Sequence, residues 1–178
     1  MTHAYIIREA TPDDAEALIA FMKRIADEPN NGTTFTSAHE FTRTVDEERD
    51  LIRQRHDADN ACWLVAVTPD GQLIGQANIS GGPRAGKRTV GLAIALAPEW
   101  RNRGIGTAMI RQLIDYCRQS PAIHRLELGV YTNNPRAIHV YEKLGFVHEG
   151  IDREAFWKAN EGGYLDSHRM AILFDDAR

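Results

Sequence analysis

Cysteine is scarce in this sequence and poorly placed for cross-linking. Cys62 and Cys117 lie far apart inside apolar segments, which reads as buried reduced thiols rather than a disulfide or a metal pair. The seven histidines show no metal-ligand spacing, so no metal is expected. No run is long and apolar enough to span a bilayer, and residues 1–20 lack a signal-peptide core, so a cytoplasmic location is expected. Repeats, linkers and low-complexity tracts are also missing. The formal net charge of −4 gives no global pull toward nucleic acid or acidic membranes, and neither is expected as a partner.

What is present is a chain of 178 residues, sized for a single domain over 1–178 with a substantial core. Tyr5-Ile6-Ile7-Arg8 reads as a short strand. Thr11-Pro12-Asp13-Asp14 then supplies an N-cap, a proline and two acids for a helix over about 12–26, with Leu18, Ile19, Met22 and Ile25 at helical spacing. Residues 27–37 form a polar loop, and a second, strongly charged helix is expected from Ala38 to His56. Cys62–Val67, Leu73–Ser80 and Thr89–Leu96 read as three strands of an antiparallel meander, joined by turns at Pro69-Asp70-Gly71 and over 81–86.

From there the pattern becomes strand, helix, strand, helix, strand. The helix over Gly104–Arg118 carries Ile105, Met109, Leu113 and Tyr116 on one face, and Arg125–Tyr131 is a strand. Asn134 caps a helix that begins with Pro135 and stops at Gly145. Phe146–Glu149 and Asp166–Leu173 complete the sheet. The class is α/β (α+β), with a mixed, mostly antiparallel sheet of about seven strands flanked by about four helices.

Arg101-Asn102-Arg103-Gly104-Ile105-Gly106 lies where a strand ends and a helix begins, and Thr107 adds a hydroxyl at the helix entrance. Such a turn aims free main-chain N–H groups and the positive end of a helix dipole at one point, which suits a phosphate. As a bare pattern it reads equally as a tight connection carrying solvated arginines. It is not a dinucleotide fingerprint, because the glycine spacing differs. Gly81-Gly82-Pro83-Arg84-Ala85-Gly86-Lys87 matches a P-loop up to its lysine, but Arg88 stands where a Ser or Thr is needed and a strand follows, so it reads as a hairpin turn. In the segment from Asn134 to Phe146, Tyr141 fits two readings: a core aromatic, or a hydroxyl placed in a cleft as a proton donor. Asn134 reads equally as a plain helix cap.

Ala97-Pro98-Glu99-Trp100-Arg101-Asn102-Arg103-Gly104-Ile105-Gly106-Thr107 resembles the acyl-CoA-binding signature of the GNAT N-acetyltransferases, and Asn134–Phe146 resembles that family's second signature. The run Glu149–Arg153, with Gly163-Tyr164-Leu165-Asp166 and Met170, is similar to the branch acting on amino acids, small amines and protein N-termini. The resemblance covers nearly the whole chain. It implies that the pyrophosphate of acetyl-CoA, as co-substrate, lies on the amides of Arg101, Asn102, Arg103, Gly104, Ile105, Gly106 and Thr107. It further implies that the pantetheine arm runs along Ile94 and Leu96, that the Leu96 N–H polarises the thioester carbonyl, that Asn134 bonds the arm, and that Tyr141 protonates the departing thiolate.

One position departs from that pattern. The family most often has glycine directly after the first arginine, and here it is Asn102, a residue that tolerates a left-handed turn. Glu28, Glu40, Glu99 and Glu127 are conceivable bases acting through water, each reading also as a surface carboxylate. The loop from Glu28 to Phe35 is the candidate for acceptor contact. Asp166-Ser167-His168 mimics a triad, but adjacent strand residues face opposite ways. The reading is acetyl transfer to the primary amine of a small molecule, with an amino acid favoured. The rivals are a protein N-terminal or ribosomal-protein acetyltransferase and a non-catalytic acyl-CoA-binding sensor. The resemblance also implies a homodimer formed through the carboxy-terminal strands.

Overall fold

A computed structural model describes residues 4–28, 32–82, 86–158 and 162–174. Seven strands, β1 (Ile6–Glu9), β2 (Ala61–Val67), β3 (Leu73–Gly81), β4 (Thr89–Leu96), β5 (Arg125–Tyr131), β6 (Val147–Lys158) and β7 (Gly163–Leu173), form one sheet. Its order is β1-β2-β3-β4-β5-β7-β6. Neighbours are antiparallel except β4 and β5, which run parallel. Four helices, α1 (Ala15–Ala26), α2 (Val45–His56), α3 (Ile105–Gln119) and α4 (Pro135–Lys143), cover its two faces. The expected class, strand number and helix number all hold.

Two cores follow from the alternation of β2 and β3. Trp63, Val65 and Val67 pack with Leu18, Phe21, Met22 and Ile25 of α1 and Ile52 of α2. Cys62, Leu64 and Ala66 turn the other way, with Ile74, Ala77 and Ile79, toward Ile105, Met109 and Leu113 of α3. Successive side chains of a strand point to opposite faces, so a strand buried throughout, as β2 is, serves both cores at once. The cysteines are buried, unpaired thiols, and burial pushes each of them up to about 12.

Several boundaries differ from expectation. A 3-10 turn over Pro12–Asp14 leads into α1. The second helix begins at Val45 rather than Ala38. Thr44 takes the cap position, with its N–H bonded to Glu47 Oε2 at 2.8 Å and its hydroxyl accepting from the Glu47 N–H at 3.3 Å. Only a 3-10 turn over Ala38–Glu40 precedes it. The buried stripe of α3 includes Ile110, Ile114 and Cys117, while Tyr116 is half-buried at its margin. β6 runs to Lys158 and β7 starts at Gly163, so the last two strands form a long hairpin rather than two short pieces. Most of β6 is an exposed edge without apolar alternation, which hides it from pattern reading. Its register breaks between Asp152 and Phe156, where Glu154 takes φ 52 and donates its N–H to Asp166 Oδ1 at 2.7 Å. Of the expected turn over 81–86, positions 83–85 lie outside the described residues.

The start of α1 is fastened by Asp14. Its carboxylate takes a two-pronged pair from Arg8, both bonds 2.7 Å, and a main-chain bond from the Thr11 N–H at 2.7 Å. Burial pushes the Asp14 carboxyl up, but the bonds from Arg8 and Thr11 outweigh it and the net shift is downward. A carboxyl lowered in the folded state stabilises fully above its unfolded value of about 3.9, and that contribution is lost as pH falls through the folded value. In urea unfolding followed from pH 6 to pH 2, Asp14→Asn should start less stable and lose less stability across the acid range than the unsubstituted protein. Parallel acid profiles would refute this role.

Candidate active site

The cleft begins where two parallel strands part. The β4–β5 ladder spans Thr89–Arg125, Val90–Leu126 and Gly91–Glu127. Beyond these pairs β4 stays with β3 as far as Leu96, opposite Gly75, while β5 stays with β7 as far as Tyr131, opposite Ser167. The Ala97 N–H donates to the Ile74 carbonyl at 2.9 Å. Because antiparallel bonding alternates along a strand, Leu96 and Ile94 direct their main-chain groups to the other side, toward the gap. That orientation is what an extended ligand arm needs in order to add itself as a strand.

Leu96 is held closely. A Cβ built on Gly75 would come within 2.3 Å of Leu96 Cδ2, and one on Gly106 within 3.1 Å of Leu96 Cδ1. Both glycines thus make room for the Leu96 side chain, one from β3 and one from the first turn of α3. The Leu96 carbonyl accepts from Arg101 Nε at 3.0 Å, and Arg101 Nη2 donates to Glu28 Oε2 at 2.8 Å. The Arg101 side chain is thus engaged with the protein itself, which leaves the turn's main chain as its anion-facing part.

That turn has the shape its sequence suggests. Asn102 adopts φ 64, the left-handed conformation expected for asparagine standing in a glycine position, and Gly104 follows at φ 79. The first intrahelical bond of α3 runs from the Ala108 N–H to the Gly104 carbonyl at 3.0 Å. The N–H groups of Ile105, Gly106 and Thr107 precede it and have no acceptor within the helix. With the helix dipole behind them they make a rim suited to an anion.

Across the gap, α4 carries the other half. Asn134 Oδ1 accepts from the Ala137 N–H at 3.1 Å, so its cap role is real, and Pro135 opens the helix. Gly145 at φ 94 ends it, and the Phe146 N–H bonds the Tyr141 carbonyl at 3.1 Å. This closure lays Phe146 edge-on against the Tyr141 ring, centroids 5.6 Å apart. Burial pushes the Tyr141 hydroxyl up to about 12, so it stays protonated throughout neutral pH. Among the described residues no group bonds that hydroxyl, and Tyr141 lines the cleft.

The cleft encloses about 780 Å³. Every residue expected in the site lines it except Arg103, whose guanidinium lies 4.9 Å from the centre of the Trp100 ring. The structure adds Tyr131, Asn133 and Arg136 to the lining, and Gly32 brings in the loop expected from Glu28 to Phe35. Arg136 stood within a quoted motif without a role, and no local signal marks Tyr131. Of the four candidate bases, Glu99 pairs with Arg24 at 2.7 Å, Glu127 with Arg125 at 2.8 Å, and Glu40 accepts from the Thr36 N–H at 3.1 Å. Glu28 alone of the four pairs, among the described residues, with a residue lining the cleft. The Asp166-Ser167-His168 trio is spent on sheet structure, with Asp166 bonded to Glu154 and His168 edge-on to His148 at 4.8 Å.

Comparison with known proteins places this arrangement. An L-amino acid N-acetyltransferase of Escherichia coli strain K12 is 33% identical over 103 residues, 57% of this chain and 62% of that enzyme. The chain thus spans less than two thirds of that curated relative. The crystal structure of a GNAT-family acetyltransferase from Streptococcus pneumoniae superimposes with a TM-score of 0.90 at 30% identity, covering 96% of this chain and 100% of that one. The spermidine N-acetyltransferase of Vibrio cholerae, solved in complex with CoA and spermine, gives a TM-score of 0.72 at 26% identity, covering 95% of each chain. The model of the acetyltransferase (GNAT) family matches residues 22–146, more than half of the sequence and the whole of the parted-strand cleft, and the chain belongs to that family.

Proposed function

We propose that this protein is an acetyl-CoA-dependent N-acetyltransferase that acetylates the primary amine of a small molecule, an amino acid in the first instance. One observation carries the reading: the amides opening α3, the outward main chain of β4 and the Tyr141 hydroxyl all meet in one cleft. The pyrophosphate rests on the amides of Ile105, Gly106 and Thr107, and the pantetheine arm pairs with Ile94 and Leu96. The fit is chemical as well as spatial, since the rim offers N–H donors to an anion and β4 offers an unpaired edge to an amide-bearing arm.

In the reaction the amine nitrogen attacks the thioester carbonyl carbon. The Leu96 N–H steadies the oxygen as charge develops on it. A C–N bond forms, the C–S bond breaks, and Tyr141 gives its proton to the leaving sulfur. In water a phenol pushed up to about 12 would be a poor donor to a thiolate. The same burial that raises the phenol also disfavours a charged thiolate beside it, so both sides of the transfer move in the same direction. Glu28 is engaged by Arg101, so the amine sheds its proton to water on the acceptor side. The amine attacks directly, and no covalent enzyme intermediate is needed.

The relative acting on L-amino acids favours that acceptor class, and the spermidine enzyme makes a polyamine the second candidate. The buried free cysteines suit a reducing cytoplasm. Exposed Val147, Ile151, Trp157 and Tyr164 on the β6–β7 hairpin favour a homodimer through these strands, which sedimentation at graded concentrations would reveal.

Thiol release measured with acetyl-CoA across amino acids, polyamines, aminoglycosides and peptides with free N-termini tests the reading. Fast turnover is expected with a small amine. Release with peptides only would move the function to protein N-termini, and tight acetyl-CoA binding without release from any amine would leave a sensor. Tyr141→Phe should lower kcat about a hundredfold while acetyl-CoA affinity stays within about twofold. An equal loss of affinity would refute its role as acid. Gly106→Trp should abolish acetyl-CoA binding by calorimetry, because the side chain crowds Leu96 and covers the rim. Unaltered binding would place the anion elsewhere.

A further inference from the structure

Lys158, the last residue of β6, is 1% exposed. A lysine is rarely so completely buried unless its charge is engaged. Its Nζ donates to the main-chain carbonyl of Thr33 at 3.0 Å and to that of Phe35 at 2.9 Å. The Tyr131 hydroxyl, at the end of β5, donates to the same Thr33 carbonyl at 2.9 Å. Lys158 Nζ also lies 5.8 Å from the Tyr131 ring centre, and Phe156, two residues earlier on β6, packs edge-on against that ring at 5.4 Å. Two distant strand ends thus converge on two residues, Thr33 and Phe35, of the loop between α1 and α2.

The same loop reaches the cleft. Gly32 lines it, and a Cβ there would lie 3.6 Å from Asn134 Nδ2. Beyond Phe35 the loop is closed by its own bonds, from the Thr36 N–H to Glu40 at 3.1 Å and from the Ala38 N–H to Asp27 at 2.7 Å. Phe35 packs on Phe41 at 5.5 Å. Loop carbonyls ordinarily face water. Here two of them face inward to one ammonium, and the Tyr131 hydroxyl shares one of the two, so the wall formed by residues 32–35 is tied to the ends of β5 and β6.

We infer that Lys158 is a positioning residue for the acceptor. Through Thr33 and Phe35 its ammonium fixes the wall against which the amine substrate is held, and Tyr131 shares the Thr33 carbonyl. The inference rests on the acetyltransferase reading for its kinetic part and on the loop's geometry for the rest. Lys158 bonds the loop between α1 and α2, the candidate for acceptor contact, so its effect is read first on the amine KM.

The test uses, in the full chain, Lys158→Met, Tyr131→Phe and Lys158→Cys, the last with Cys62→Ala and Cys117→Ala removing the native thiols. Lys158→Cys is alkylated in denaturant, either with bromoethylamine, which rebuilds an ammonium at lysine's reach, or with neutral bromopropane, and then refolded. Two readouts are taken: hydrogen exchange of the amides over residues 32–41, and steady-state kinetics with the amine that gives the fastest thiol release. Lys158→Met should speed exchange in that segment and raise the amine KM about tenfold or more, since two bonds to a charged group are lost. Acetyl-CoA affinity should stay within about twofold. Bromoethylamine should restore both readouts and bromopropane neither. If Lys158→Met does not fold, Tyr131→Phe carries the test, with the same direction and a smaller change. Unchanged exchange over 32–41, equal rescue by the neutral alkyl chain, or a matching loss of acetyl-CoA affinity would each overturn the inference. Absence of transfer by the unsubstituted protein would overturn the acetyltransferase reading instead, while the exchange measurement would still decide the loop's anchoring.

Discussion

Everything in the cleft depends on two parallel strands losing each other after three residue pairs. Were β4 and β5 paired to their ends, Ile94 and Leu96 would be bonded to a neighbour and Tyr131 would be one more sheet residue. Because they part, one face of β4 is left with main-chain groups turned to an open gap. Parallel strands need a crossover, and the crossover here is α3, whose first turn enters beside the gap. The helix that satisfies topology therefore also delivers free amides to the place where β4 has unpaired ones.

The parting is maintained by side chains rather than by the ladder. Leu96 fills the space left by glycine on both sides, at Gly75 and Gly106, so strand and helix entrance are keyed to each other through one aliphatic side chain. Arg101 then bonds the Leu96 carbonyl, at the end of β4. On the far side, Gly145 and Phe146 close α4 so that Tyr141 is packed along its ring and open at its hydroxyl. On the proposed reading, rigid packing of the ring and a hydroxyl that no described residue bonds are complementary requirements for a proton donor.

Much of this was legible in the sequence where the signal is local. Asn134, Pro135 and Gly145 mark both ends of α4 within twelve residues. The left-handed Asn102 follows from the one position where asparagine replaces the usual glycine. Other features depend on contacts that no short window contains. The point where β4 and β5 part is set by packing across the sheet, and the convergence of Thr33, Tyr131 and Lys158 joins positions up to 125 apart in the sequence. The charged run from Ala38 resembles helix, yet Thr44 with Glu47 makes a stronger start, and the cap prevails. β6 escaped because an exposed edge strand has little hydrophobic pattern to read. The four glutamates are indistinguishable by type and differ only in their partners.

The contact between Glu28 and Arg101 has a thermodynamic side. Arg101 belongs to the turn that opens the anion rim, and Glu28 to the loop on the acceptor side, with the Leu96 carbonyl held by the same guanidinium. On the proposed reading, donor and acceptor sites are thus joined through one residue. Any displacement at one end changes the energy of the other, and linkage makes the effect mutual: whatever factor the first substrate applies to the affinity of the second, the second returns to the first. On the acetyltransferase reading, coupling between the two substrates would pass through that ion pair.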